Sequence, residues 1–212
     1  LLPSDYWRYY LLANAPETSD ASFTWDGFAG TVNKDLADIL GNFVNRTLKF
    51  CSSKFGEQLP AGGEIGAAEK ALADALQQRL TAYNTHMGDL QIRKAMQELR
   101  AIWALGNEYL TEAAPWTVFK TDPDAAAASL RTAINLIRIF AILSAPVIPN
   151  AAAKMASALG ITLSGTDWIE GDFLEELQIL EAGHGFEIPD VLFRKISDDE
   201  VAAWEERFGG SE

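Results

Sequence analysis

The strongest constraint on this chain is helical periodicity between Thr24 and Gly56. At 100° per residue, Phe28, Val32, Leu36, Ile39, Phe43 and Phe50 fall within about 80° of one another. An apolar stripe that long on one helix must be covered by other helices. The rest of the chain supplies them. Residues 4–14 read as a helix with Ser4 as its cap, followed by a loop over 15–24 with Pro16, Thr18, Ser19 and Asp20 as turn formers. Residues 64–85 and 90–113 read as two more, separated at Gly88-Asp89. A fifth starts at a Thr121 or Asp122 cap with Pro123 in its first turn and ends before Pro146. A short sixth opens at Pro149-Asn150 and stops at Gly160.

Residues 161–212 are different: glycines interrupt the periodicity, and only the capping-box pair Ser197 and Glu200 marks a helix, over 198–208. The expected fold class is therefore all-α, a bundle of about five helices with an irregular acidic tail. The division drawn is 1–22 as a connection, 23–160 as the bundle and 161–212 as the tail.

Charge follows the same division. The chain has 17 Lys and Arg against 30 Asp and Glu, net −13. Residues 1–159 are nearly neutral, so most of the excess acid lies in the tail. An acidic tail repels phosphates, so any nucleic-acid site belongs in the body. The lost periodicity and the acid lead to the expectation that the tail packs chiefly on another domain and that the bundle folds without it. One cysteine, Cys51, excludes a disulfide framework and reads as a small buried hydrophobe. No apolar run approaches the roughly 20 residues of a membrane span, no leader opens the chain, and a cytoplasmic location is expected. The start at Leu1-Leu2-Pro3 without Met suggests a piece of something longer.

Catalytic signatures are missing. His86 and His184 each stand apart from a second ligand at metal spacing, and Asp198-Asp199 and Glu175-Glu176 lie in solvated acidic runs. There is no P-loop, no G-x-S-x-G and no G-x-G-x-x-G. Two features remain. Asn42 and Arg46 share a helix face, with Arg46 at the angle of Phe28, inside the apolar sector. They are either a snorkelling arginine with a locally bonded amide, or a donor/acceptor set suited to a base edge. Trp116, directly after Pro115, is either a core plug or a stacking platform for a base.

Several runs resemble one family in order along nearly the whole chain. Tyr9-Tyr10-Leu11-Leu12, Phe23-Thr24-Trp25-Asp26-Gly27-Phe28, Val32-Asn33-Lys34-Asp35-Leu36-Ala37 and Leu40-Gly41-Asn42-Phe43-Val44-Asn45-Arg46 resemble the junction after the catalytic core of methionyl-tRNA synthetases. Asn107-Glu108-Tyr109 with Ala114-Pro115-Trp116 and Lys120, Ile134-Asn135-Leu136 leading to Ala145-Pro146-Val147-Ile148-Pro149, and Leu192-Phe193-Arg194-Lys195-Ile196 are similar to later elements of that family.

The resemblance implies an α-helical anticodon-binding domain. Positions matching Asn42, Arg46 and Trp116 would read the CAU anticodon of methionine tRNA, the tryptophan stacking on its first base. Asn107 and Lys120 match as secondary positions, held as more structural. The implied partners are the anticodon stem-loop and a catalytic half carrying the ATP and methionine sites. ATP and Mg²⁺ are cofactors of that whole enzyme, and this chain alone is expected to be inactive, with no metal or cofactor of its own. The alternatives are a related class I synthetase, for leucine, isoleucine, valine or cysteine, or an all-α interaction module without RNA. The N-x-x-x-R then Pro-Trp order argues against the former.

Overall fold

The structure is a computed structural model and describes residues 1–17, 20–165 and 167–209; the turn formers Thr18 and Ser19 lie outside them. In chain order the elements are α1 (Ser4–Ala13), α2 (Trp25–Val32), a π-helical stretch (Asn33–Gly41), α3 (Asn42–Phe55), α4 (Ala67–Gly88), α5 (Ile92–Ala113), α6 (Pro115–Val118), α7 (Pro123–Ser144), α8 (Pro149–Ala158), α9 (Phe173–Glu176) and α10 (Asp198–Phe208). The all-α bundle is as expected, with the two one-turn helices α6 and α9 and the π-helical stretch added.

Side-chain caps mark the starts of α2, α7, α9 and α10. The Thr24 hydroxyl accepts from the Gly27 amide, the Asp122 carboxylate accepts from the Ala125 amide, and Ser197 with Glu200 closes the expected capping box. Ser4 does not cap α1: Pro3 holds the cap position without a side-chain bond, and Ser4 is already helical.

Helix α7 is the hub, packed against α3, α5, α6 and α8. Every residue from Thr132 to Ser144 is buried. By length and composition α7 could cross a membrane, which the sequence reading did not allow for. Its most apolar window is 94% buried inside the bundle, as expected of a core helix. Trp103 of α5 and Ser144 of α7 meet through an indole N–H donated to the hydroxyl at 3.1 Å.

Between them, Gly106 lets α5 approach the Phe43 and Phe140 rings. A Cβ there would stand 2.8 Å from Phe43 and 2.9 Å from Phe140. Both rings are fully buried and pack on each other, so neither can yield. Overpacking costs about 1–3 kcal/mol, while alanine gains up to about 1 kcal/mol of helix propensity over glycine. Gly106→Ala is therefore expected to destabilise the protein by about 1–2 kcal/mol, read as a lower urea midpoint at unchanged m-value. A raised midpoint would show that propensity wins.

The π-helical stretch changes the stripe. One buried row is Phe28, Val32, Leu36, Leu40, Val44 and Leu48, four apart throughout, flanked by buried Phe43, Thr47 and Cys51. On an α-helix each such step drifts by about 40°. The wider π turn, bonding i to i+5, brings positions four apart back toward one line. Ile39 and Phe50, which a uniform 100° count places in the stripe, are only half-buried.

The tail differs most from expectation. Ile169, Phe173, Leu177, Leu180, Phe186, Leu192, Phe193, Ile196, Val201 and Trp204 are all buried in the same continuous cluster as the bundle and α1. The cluster crosses both divisions drawn from the sequence. Side chains of the body clamp the tail backbone in pairs. Asn135 donates to the Leu180 carbonyl at 3.0 Å and accepts from its amide at 2.8 Å. Asn33 does the same to Ile196, at 2.8 Å both ways. The Tyr6 hydroxyl donates to the Arg194 carbonyl and accepts from its amide. Arg138 pairs with Glu176. Body backbone holds the tail as well: the Gly183, Phe186 and Glu187 amides donate to the Leu59, Glu57 and Ala158 carbonyls, so this part of the tail is ordered by distant partners rather than by a repeating pattern of its own.

Cys51 is fully buried, and burial pushes its thiol up to about 12, so it stays protonated.

Candidate nucleic-acid interface

The phase shift of the π-helical stretch moves the site residues outward. Eighteen residues of α-helix would put Arg46 in line with buried Phe28. Instead Arg46 and Asn42 are both exposed, one turn apart on α3. The reading of Arg46 as a core-edge residue is corrected accordingly.

Trp116 reaches the same place from the other side. Helix α5 ends at Ala114, which adopts a left-handed conformation (φ 39°, ψ 54°), and Pro115 starts the single turn of α6. That turn presents Trp116 half-buried beside α3. The Arg46 guanidinium carbon lies 4.8 Å from the Trp116 ring centroid. Phe50 meets the indole edge-on at 6.4 Å. Sequence reasoning paired Asn42 with Arg46 and joined Trp116 to them through the resemblance; the structure sets the Arg46 guanidinium beside the Trp116 ring, one turn from Asn42.

Asn107 and Lys120 part company. Asn107 donates to the Ile39 carbonyl at 3.1 Å and to the Trp103 carbonyl at 3.3 Å, tying α5 to the π-helical stretch. That is a structural task. Lys120 is exposed just past α6.

The strip continues beyond the named residues. Lys54 lies over the Phe119 ring, 5.7 Å from its centroid, and Phe55 packs edge-on against that ring at 5.2 Å. From Asn42 to Phe55 there are three cations, Arg46, Lys49 and Lys54, and no carboxylate; residues 114–121 add Lys120 and again none. The ion pairs found among the described residues lie elsewhere, joining Arg79 to Glu98, Arg100 to Asp35, Arg138 to Glu176, Arg194 to Glu200 and Lys195 to Asp38. In a chain with net charge −13, these two segments thus hold no carboxylate of their own, and two of their four cations, Arg46 and Lys54, lie over aromatic rings. Sequence reasoning missed Lys54 and Phe119. The signal available was the interleaving of basic and aromatic residues over 46–55.

Other concave regions are weaker. A groove of about 620 Å³ is lined by Arg131 and Glu64, but the Arg131 guanidinium is already bonded to the carbonyls of Pro60, Gly62 and Gly63. Among the described residues, no group of three or more His, Cys, Asp or Glu is placed to hold a metal ion.

A flat ring, a fork of donors and an amide on segments without a carboxylate suit a single-stranded nucleic acid. Comparison with known proteins agrees. Residues 59–212 match the family described as the anticodon binding domain of methionyl tRNA ligase, and residues 1–48 match the class I tRNA synthetases of the methionine type. Among curated relatives, a methionine–tRNA ligase of Cereibacter sphaeroides is 56% identical over 211 residues, covering 99% of this chain and 36% of the relative. One from Jannaschia sp. is 58% identical over 210 residues, with the same coverage. The chain thus spans about a third of the length of these relatives. Among solved structures, Mycobacterium tuberculosis methionyl-tRNA synthetase in complex with methionyl-adenylate superposes with a TM-score of 0.75 at 26% identity, over 89% of this chain and 37% of that one. The free form of the same enzyme gives 0.77 at 24% identity, over 91% and 39%, a likeness of fold. With one family description spanning most of the chain and relatives this similar along its whole length, the chain belongs to the anticodon-binding domain family of methionyl-tRNA ligases.

Proposed function

We propose that this chain binds the CAU anticodon loop of methionine tRNA as the anticodon-binding part of an enzyme that joins methionine to that tRNA using ATP. The observation that carries the reading is the Arg46–Trp116 pair beside Asn42 on segments without carboxylates. Trp116 offers a ring for the first anticodon base, a cytosine. A base on that ring brings its edge and its phosphate to the guanidinium, whose donors are not spent on a carboxylate. The Asn42 amide, with a donor and an acceptor on one group, tests the pattern of a base edge.

ATP and Mg²⁺ act, in this reading, in the catalytic part of the enzyme, and no residue of this chain is assigned to them. The chain alone is expected to be inactive in methionine activation. A cytoplasmic location follows from a role in translation. An all-α protein-interaction module is the other reading the fold permits, but no observation favours it over the basic, aromatic edge.

The test is binding of transcribed tRNAs that differ only in the anticodon. Methionine tRNA should bind more tightly than a transcript with its first anticodon base changed, by about 5- to 150-fold, since one wrong base contact costs about 1–3 kcal/mol. Equal affinities across the set would remove the anticodon reading.

A further inference from the structure

We propose that Asn107 is a positioning residue for anticodon discrimination, holding the π-helical stretch in the phase that turns Asn42 outward; this rests on the anticodon reading above. Asn42 is the first residue after the stretch. Its backbone N–H reaches back to the Ala37 carbonyl, five residues away as in a π turn, and to the Ile39 carbonyl. The Asn107 side chain donates to that same Ile39 carbonyl at 3.1 Å. One oxygen thus ties the first site residue of α3 to an amide on α5. Where a π turn gives way to an α-helix, the ladder of carbonyl partners shifts by one residue, so a donor from outside favours one register over the other. Gly41 makes room for the wide turn: a Cβ there would stand 3.1 Å from the Leu36 carbonyl, also five residues back and closer than ordinary contact.

Helix α5 grips the stretch near both ends. Arg100 donates to Asp35 at 2.6 Å and, two turns on along the same face, Asn107 donates to Ile39. The same helix then ends in the Ala114 turn that presents Trp116. So α5 sets both halves of the site, the ring through its C-terminus and Asn42 through the stretch. Asn107 acts from behind. It is half-buried, and its amide nitrogen spends both N–H groups inside the protein, on the Ile39 and Trp103 carbonyls. Stacking on Trp116 tolerates a small shift of α3. An amide that must meet a donor and an acceptor on one base edge does not. Losing the clamp therefore falls on discrimination between bases more than on affinity.

The experiment measures dissociation constants of the 212-residue chain, well below its melting range, for an anticodon stem-loop RNA with CAU and for its counterpart with the first anticodon base changed. The ratio of the two is the discrimination. Asn107→Ala is expected to lower that ratio by about 2- to 20-fold, chiefly by weakening the CAU RNA. Asn107→Ser can still bond the Trp103 carbonyl four residues back but is too short to reach Ile39, so it should lose the same factor with less loss of melting temperature. In an Asn42→Ala background, Asn107→Ala should lower the ratio no further, because the clamp acts through Asn42. In a Trp116→Ala background it should lower the ratio by the same factor as in the parent. Asn135→Ala removes an amide clamp on the tail instead; it should lower the melting temperature and leave the ratio at the parent's value.

A parental ratio in well-folded Asn107→Ser would overturn the positioning role. So would an Asn107→Ala loss that adds in full to that of Asn42→Ala, or one that vanishes in the Trp116→Ala background. An Asn42→Ala variant with the parental ratio would overturn it too, since the route runs through that amide. An equal loss of ratio in Asn135→Ala would reduce the effect to stability. In all of these a discriminating parent, impaired by Trp116→Ala, leaves the anticodon reading standing. A parent that binds the two RNAs equally would sink the anticodon reading and the positioning role together.

Discussion

A chain ending at Gly160 is expected to lose cooperative unfolding. The bundle keeps its helices in such a truncation but loses one side of its core. Ten large apolar side chains of the tail are buried. Their removal opens that side of the core to water, and it also strands the polar groups that bonded to the tail. Asn135 is fully buried in α7, and without Leu180 its amide loses both tail partners inside an apolar wall. Arg138, also buried, loses Glu176. The expected readout is retained far-ultraviolet helical signal, a broad non-cooperative melt, and dye binding to exposed apolar surface. A sharp transition near the parent's melting temperature would show instead that the tail is an accessory. A gentler version keeps the chain whole: Asn135→Ala should cost about 2–4 kcal/mol by stranding the Leu180 amide and carbonyl.

The tail also shows where the sequence stopped being legible. Apart from α6 and the π-helical stretch, the helices from α1 to α8 were readable from period, caps and prolines, because each helix bonds its own backbone and needs only one apolar face. The tail's order comes from distant partners. Tyr6, Asn33 and Asn135 hold segments between 45 and 188 residues away, and no local pattern announces that. Its charge misled too: the carboxylates are mostly on the outer side, while the apolar residues between them are buried. The candidate site was legible as residue types but not as geometry. Asn42, Arg46 and Trp116 were nameable from the sequence. That Arg46 faces solvent depends on a π-helical stretch, whose altered phase defeats a uniform 100° count. Ala114 hid the turn into α6, since a left-handed residue after a helix is usually glycine and alanine gives no such sign.

That altered phase sharpens what substitutions at the site should do. Arg46→Ala should leave stability within about 0.5–1 kcal/mol of the parent, because the side chain is exposed and its partner is a ring face. A core-edge arginine would have been costlier to remove. In RNA binding the same change should cost about 1–3 kcal/mol if the guanidinium meets a base edge. Arg46→Lys should recover little of it, since an ammonium keeps the charge but not the planar fork. Trp116→Ala should cost about 1–3 kcal/mol through lost stacking. Because Trp116 is half-buried and edges on Phe50, this variant also loses some stability, and melting temperature has to be measured beside affinity. Asn42→Ala should change affinity least and anticodon discrimination most, because an amide reads donor and acceptor together. In a whole ligase carrying these changes, charging of methionine tRNA at subsaturating tRNA should fall while methionine activation holds, since the proposed function gives Asn42, Arg46 and Trp116 a part in RNA binding and none in activation. The interface assignment is wrong if well-folded Arg46→Ala and Trp116→Ala variants bind methionine tRNA like the parent and separate anticodon variants as sharply.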